Sequence, residues 1–321
     1  MKGIVASSAA FCVWTEGGEV YTWGHDDFGG NVKQNQYYSA KVFKNVEKVF
    51  ATKAAFAAKR YDGKLFVWGS CFYGGCLPDK KQIMLSDIAY VIATSYAFLA
   101  FSTQHHHQMI GWGHPMFGGK EASQFGEKIR QNGDRVQFVA ATVGGAIAVL
   151  TQQGRVYTWG MAMGGGDSQS VTSALQANVT ALYHTDYAFA ATNTVGDIIV
   201  WGGVKAGGSF AYKKTAAAEP ASSSQIMKNV SVISLASTCS AFAGLTANHS
   251  LVMWGNPYEG GRLPVRAMAN KTTEIKDIVG NEIAFFATMK PIGSDSNNSN
   301  SNSIGLEYLM WGNTKVVLGN I

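Results

Sequence analysis

Ala55-Phe56-Ala57-Ala58-Lys59-Arg60-Tyr61-Asp62-Gly63-Lys64-Leu65-Phe66-Val67-Trp68-Gly69, followed by Ser70-Cys71-Phe72-Tyr73 and Gly74-Gly75, is the stretch whose reading decides the fold. A strand of small apolar residues opens on Ala55-Phe56, a turn carries Gly63, and β-forming Leu65-Phe66-Val67 lead into Trp68-Gly69. Two short strands around a glycine-bearing turn are a hairpin signal.

The same unit returns along the chain. Trp23-Gly24, Trp68-Gly69, Trp112-Gly113, Trp159-Gly160, Trp201-Gly202, Trp254-Gly255 and Trp311-Gly312 use seven of the eight tryptophans. Their spacings are 45, 44, 47, 42, 53 and 57 residues, the period of one four-stranded propeller blade per repeat. The pair at the head of the hairpin is Ala10-Phe11, Ala55-Phe56, Ala97-Phe98, Ala188-Phe189, Ala241-Phe242 and Ala284-Phe285, with Ala146-Ile147 as a variant. In five repeats the Trp lies 12 residues beyond that Phe or Ile. Before the pair stands a short strand with apolar residues three apart after a polar turn residue, as in Asn45-Val46-Glu47-Lys48-Val49. The expected fold is all-β, a seven-bladed β-propeller, one domain over residues 1–321. Its terminal segments are expected to meet in one blade, with Val316-Val317-Leu318 as a closing strand. All seven repeat tryptophans are expected to be buried and structural.

After each Trp-Gly, six repeats spend four variable residues and reach a glycine pair. A fixed frame with variable side chains suits recognition. The fourth position, as in Phe28, Tyr73 and Phe117, reads as packing. The second and third positions supply the candidate partner surface: Asp26, Asp27, Phe72, Met116, Pro257 and Tyr258. Their aromatic and methionine side chains are of the kind enriched at interface centres, and His25, His114 and Glu259 suit a polar rim.

The net charge is +5, unevenly placed. Lys33, Lys41, Lys44, Lys48, Lys53, Lys59, Arg60, Lys64, Lys80 and Lys81 give the stretch 33–81 a charge of +7 against Glu47, Asp62 and Asp79. This basic sector is a secondary candidate surface, for nucleic acid or an anionic surface, or else a solvated lysine-rich face. No apolar run is long enough for a transmembrane helix, and residues 4–11 fall in register with the repeat rather than reading as a signal peptide. An intracellular location, cytoplasm or nucleus, follows as an expectation.

The four cysteines read as free thiols. Cys12 and Cys239, beside the Ala-Phe strands, suit small buried hydrophobes. Cys71 and Cys76 have a spacing fit for a disulfide or half a zinc site, but with no second ligand pair nearby the plainer reading is two exposed turn thiols. The segment Gly113 to Glu121 has the wrong spacing for a phosphate loop, and no nucleophile elbow or zinc-protease motif occurs. No catalytic residue, cofactor or metal is expected. His105-His106-His107 reads as an exposed turn, residues 293–303 as a low-complexity tip, and Phe210, Tyr212, Lys213 and Lys214 mark a long loop suited to contact a partner.

Hydrophobic-x-x-Trp-Gly followed by Gly-Gly, repeated over the whole chain, resembles the regulator of chromosome condensation repeat, whose members form seven-bladed propellers. The family commonly carries Gly-Gln-Leu-Gly after the Trp-Gly and a Gly-x-x-His-Thr-x-Ala-Leu strand, where this chain has aromatic-Gly-Gly and Ala-Phe-Ala-Ala. The resemblance implies a propeller and, by analogy with the founding member, nucleotide exchange on a small GTPase. Three function classes follow. The first is a non-enzymatic scaffold that binds a protein through variable loops on one face. The others are an exchange or chromatin-associated factor and a lectin-like ligand module.

Overall fold

The computed structural model describes residues 1–32, 43–77, 87–102, 109–119, 121–210, 225–262, 273–291, 307–313 and 317–320. The expected loop at 293–303, the His105-His106-His107 turn, Tyr212, Lys213, Lys214, Lys33, Lys41, Lys80 and Lys81 lie outside the described residues.

The chain is all-β in plan: seven antiparallel sheets, the blades of a β-propeller, follow one another in sequence. The first holds β1 (Gly3–Ala6), β2 (Ala10–Trp14) and β3 (Val20–Gly24). The second holds β4 (Val46–Ala51), β5 (Ala55–Arg60) and β6 (Leu65–Gly69), and the third β7 (Ile88–Ala93), β8 (Ala97–Ser102) and β9 (Met109–Gly113). β10 (Val136–Ala141), β11 (Ala146–Thr151) and β12 (Val156–Gly160) make the fourth. β13 (Val179–His184), β14 (Ala188–Asn193), β15 (Ile198–Gly202) and β16 (Ile226–Met227) make the fifth. The sixth is β17 (Val232–Ser237), β18 (Ala241–Thr246) and β19 (Leu251–Gly255); the seventh is β20 (Thr273–Gly280), β21 (Ala284–Pro291), β22 (Glu307–Gly312) and β23 (Val317–Asn320). The chain forms two compact units, residues 1–153 with 157–162, and residues 154–156 with 163–321.

Each sheet is a meander, and the middle strand is the most deeply buried because neighbours cover it on both faces; Ala55, Phe56, Ala57 and Ala58 are all inaccessible to solvent. Small residues suit that strand, where packing is tightest. Apolar residues three apart in a regular strand would face opposite ways. Here a bulge intervenes: Val46 pairs with Arg60 but Lys48 with Lys59, so Glu47 is extra and Val46 and Val49 turn to the same core. The same shift lies between Ile88 and Tyr90, Val179 and Ala181, and Ile275 and Asp277. The polar residue before the strand is left-handed, with φ 60° at Asn45, 65° at Asp87 and 64° at Asn178. Asn and Asp tolerate that conformation best after glycine.

One expectation about the architecture is corrected. The terminal segments do not share a sheet, because β1 pairs with β2 in the first sheet while β23 pairs with β22 in the last, from Glu307 opposite Asn320 to Met310 opposite Val317. Each terminal segment has a local hairpin partner. The outer edge of the third sheet carries α1 (Ala122–Gln131), whose Ala122, Gly126 and Ile129 are buried on one face. That spacing is an amphipathic helix stripe.

Candidate functional site

The residues after six of the Trp-Gly pairs form a single 3₁₀ turn closed by a left-handed glycine, among them Asp26–Phe28 with Gly29, Cys71–Tyr73 with Gly74, Val204–Ala206 with Gly207, and Pro257–Glu259 with Gly260. In three of these turns the side chain of the first residue of the four caps the turn. His25 Nδ1 accepts from the Asp27 amide, His114 Nδ1 from the Met116 amide and Asn256 Oδ1 from the Tyr258 amide. The imidazoles of His25 and His114, read as rim groups, therefore have a structural engagement of their own.

The turn's closing glycine lies on the hairpin of the next sheet. Gly29 has φ 88°, and a Cβ there would stand 2.6 Å from Phe56 Cδ2, so only glycine fits. Its carbonyl accepts from Trp68 Nε1, and the pattern repeats from Trp112 to Gly74, Trp159 to Gly118, Trp201 to Gly165, Trp254 to Gly207 and Trp311 to Gly260, at 2.9–3.2 Å. Beneath each indole lies the hairpin's own Phe, stacked at 5.2–5.4 Å in five sheets. In the fourth, Ile147 stands in for Phe, and Phe125 of α1 stacks on Trp159 at 4.8 Å. Buried indole N–H groups need an acceptor, and the glycine turn supplies it.

A hydroxyl completes the frame, and the sequence reading missed it. Thr52 Oγ1 donates to the Tyr73 carbonyl, Thr185 Oγ1 to that of Ala206, Thr238 Oγ1 to that of Glu259 and Ser7 Oγ to that of Phe28. The signal was present as a Thr or Ser three residues before the Ala of five of the six Ala-Phe pairs, with Asn281 in that place before Ala284.

Trp23 is the exception among the seven. Its side chain is 47% exposed and the stacked Phe11 45% exposed, with ring centroids 5.7 Å apart. The expectation that every repeat tryptophan is buried is corrected for this residue.

The candidate partner residues stand at the second and third positions of the turns. Asp26 and Asp27 are exposed, Phe72 is 54%, Met116 63% and Tyr258 63% exposed, and Pro257 is half-buried. Phe28, Tyr73 and Phe117, at the fourth position, are half-buried. In the first unit these turns carry an aromatic patch. Phe72 meets His114 edge-on at 4.2 Å, Tyr73 stacks on Tyr96 at 5.1 Å and Tyr96 on Phe117 at 4.2 Å. Tyr96 was not singled out, because its place in the β7–β8 turn gives no sequence sign that it joins two 3₁₀ turns.

Cys71 and Cys76 are bonded to one another across Phe72-Tyr73-Gly74-Gly75, which corrects the reading of two free thiols. Such a bond persists in an oxidising compartment and opens in a reducing one. Cys12 is buried, and burial pushes its thiol up to about 12. Cys239 is half-buried; desolvation, then Asp186, push its thiol up to about 11. Both are poor nucleophiles near neutral pH.

The basic sector is partly spent within the fold. Lys59 Nζ lies 2.6 Å from Glu47 Oε2 and Arg60 Nη2 3.0 Å from Asp62 Oδ2. Lys48 Nζ stands 5.3 Å from the Phe50 ring centroid, while Lys44 and Lys64 are exposed. Phe210, placed in the long loop as a contact residue, packs edge-on against Trp254 at 5.2 Å. No helix among the described residues is long and apolar enough to cross a membrane.

No family model matches this chain. No curated protein sequence matches it either. Among solved structures, Prp20p from Saccharomyces cerevisiae, described with its binding to Gsp1p and histones, is similar at 12% identity over 87% of this chain and 80% of that one, with a TM-score of 0.43. Human WBSCR16 is similar at 16% identity over 87% and 83%, with a TM-score of 0.42. The CRINKLY WD40 ectodomain of the Arabidopsis thaliana receptor kinase ACR4 is similar at 13% identity over 96% and 92%, with a TM-score of 0.42.

Proposed function

We propose that this propeller is a non-enzymatic scaffold that binds a protein partner through the outer side chains of its 3₁₀ turns. One observation carries the reading. The turn backbone is fixed by the Trp Nε1 to glycine bond and the left-handed glycine, while its second and third side chains face solvent. A preorganised backbone lowers the ordering cost of association, and exposed Phe72 and Met116 supply the large apolar groups on which interfaces centre. Asp26 and Asp27 on the first turn, and Pro257 and Tyr258 on the sixth, are the further candidates. Unlike side chains at equivalent positions suit one asymmetric partner better than a repeated small ligand.

The test is to compare proteins captured from source-cell extract by wild type, by the double variant F72S/M116S and by Y258S. A partner held by wild type and lost by F72S/M116S, at unchanged melting temperature, is the expected result. Identical capture by all three overturns the reading. If the captured protein is a small GTPase, accelerated nucleotide release is the measurement that separates an exchange factor from a plain scaffold.

A further inference from the structure

Beside the aromatic patch, a cavity of about 370 Å³ opens among the β1–β2, β4–β5, β7–β8 and β10–β11 turns of the first unit. Ser8, Lys53 and Ser95 take the same place in the first three turns, tied by a backbone ladder: the Ser8 amide donates to the Lys53 carbonyl at 2.9 Å, and the Lys53 amide to that of Ser95 at 3.1 Å. The threonines below are already engaged, Thr52 with the Tyr73 carbonyl and Thr94 with that of Ala97. Among the described residues Lys53 is the one charged residue lining the cavity and no carboxylate lines it; Lys53 is exposed.

Lys53 also belongs to the patch. Its Nζ stands 5.2 Å from the Tyr96 ring centroid, and Tyr96 stacks on both Tyr73 and Phe117. Cation, hydroxyls and aromatic rings thus form one continuous surface within a single unit.

Resting on the reading of these turns as the partner surface, we propose that this surface takes an extended peptide segment in which an acidic residue lies next to an aromatic or large aliphatic one. The carboxylate sits in the cavity against Lys53 and the Ser8 and Ser95 hydroxyls, while the apolar side chain lies on Phe72, Tyr73 and Met116. Charge complementarity selects the sign, since a basic segment meets Lys53 with nothing to neutralise it. A carboxylate alone is insufficient, because an exposed ion pair contributes little and the ring contacts must supply the rest. A nucleic acid fits poorly, since phosphate binding draws its strength from several cations at once and the cavity offers one.

The test is selection of a random peptide library displayed on phage against wild type, K53E and F72S/M116S, with melting temperatures measured for all three. The expected wild-type pool is enriched in Asp or Glu adjacent to Phe, Tyr, Trp or Leu. A synthetic peptide from that pool should bind K53E about tenfold more weakly and lose affinity as salt rises. A pool with aromatic but no acidic enrichment, or an acidic peptide that binds K53E unchanged, overturns this inference and leaves the docking surface standing. A pool bound equally by F72S/M116S overturns both.

Discussion

Trp201 and Trp23 occupy the same place in their repeats, each stacked on the Phe of its own hairpin, and they meet opposite surroundings. Trp201 is fully buried and its Nε1 donates to the Gly165 carbonyl at 2.9 Å. Trp23 stands half in solvent, and its Nε1 has no counterpart of that bond among the described residues. The difference shows that the Trp-Gly pair does not create its own burial. The preceding repeat's glycine turn does so, by covering the ring and accepting from it.

The comparison yields graded predictions. The largest effect is expected for Trp201→Ala, which deletes a buried indole and orphans the Gly165 carbonyl, costing roughly 3–5 kcal/mol by urea denaturation. Trp23→Ala should cost only about 1 kcal/mol, chiefly its stacking on Phe11. Equal losses would mean that Trp23 is covered in solution. Next comes Gly165→Ala, at φ 102° with the new Cβ 2.6 Å from Phe189 Cδ2; strain and clash together should cost roughly 2 kcal/mol. Thr185→Val, which removes the hydroxyl bond to the Ala206 carbonyl, should cost about 1–2 kcal/mol. The smallest change concerns the thiols. At pH 8 without reductant, iodoacetamide should leave Cys71 and Cys76 unmodified and label Cys12 and Cys239 slowly, because both thiols are pushed up and the thiolate is scarce well below about 11. Mild reductant should add two fast alkylations, and their presence before reduction would contradict the bond.

Much of this frame can be read directly from the chain. Trp-Gly, Gly-Gly and Ala-Phe recur in fixed order because each serves the same contact from sheet to sheet, the indole–glycine bond in six of them, and the outward second and third turn positions follow from their variability. What could not be read depends on partners far away in sequence. Trp201 meets Gly165 and Trp311 meets Gly260 across 36 and 51 residues, so nothing local to Trp23 announces that it stands half exposed. The three-residue spacing in Val46 to Val49 signals a bulge only once the strand partner is known. Tyr96 escaped notice for the same reason, and Lys53 was read only as part of the basic sector, since their turns join the aromatic patch only in three dimensions.

The interlock that holds the turn backbone fixed is tested most directly by exchange of the indole Nε1 protons, followed by ¹⁵N-resolved NMR after transfer to D₂O. The account predicts that the signals of Trp68, Trp112, Trp159, Trp201, Trp254 and Trp311 persist long after that of Trp23 has vanished. Loss of several of the six as quickly as Trp23, or protection of Trp23 equal to theirs, would contradict it.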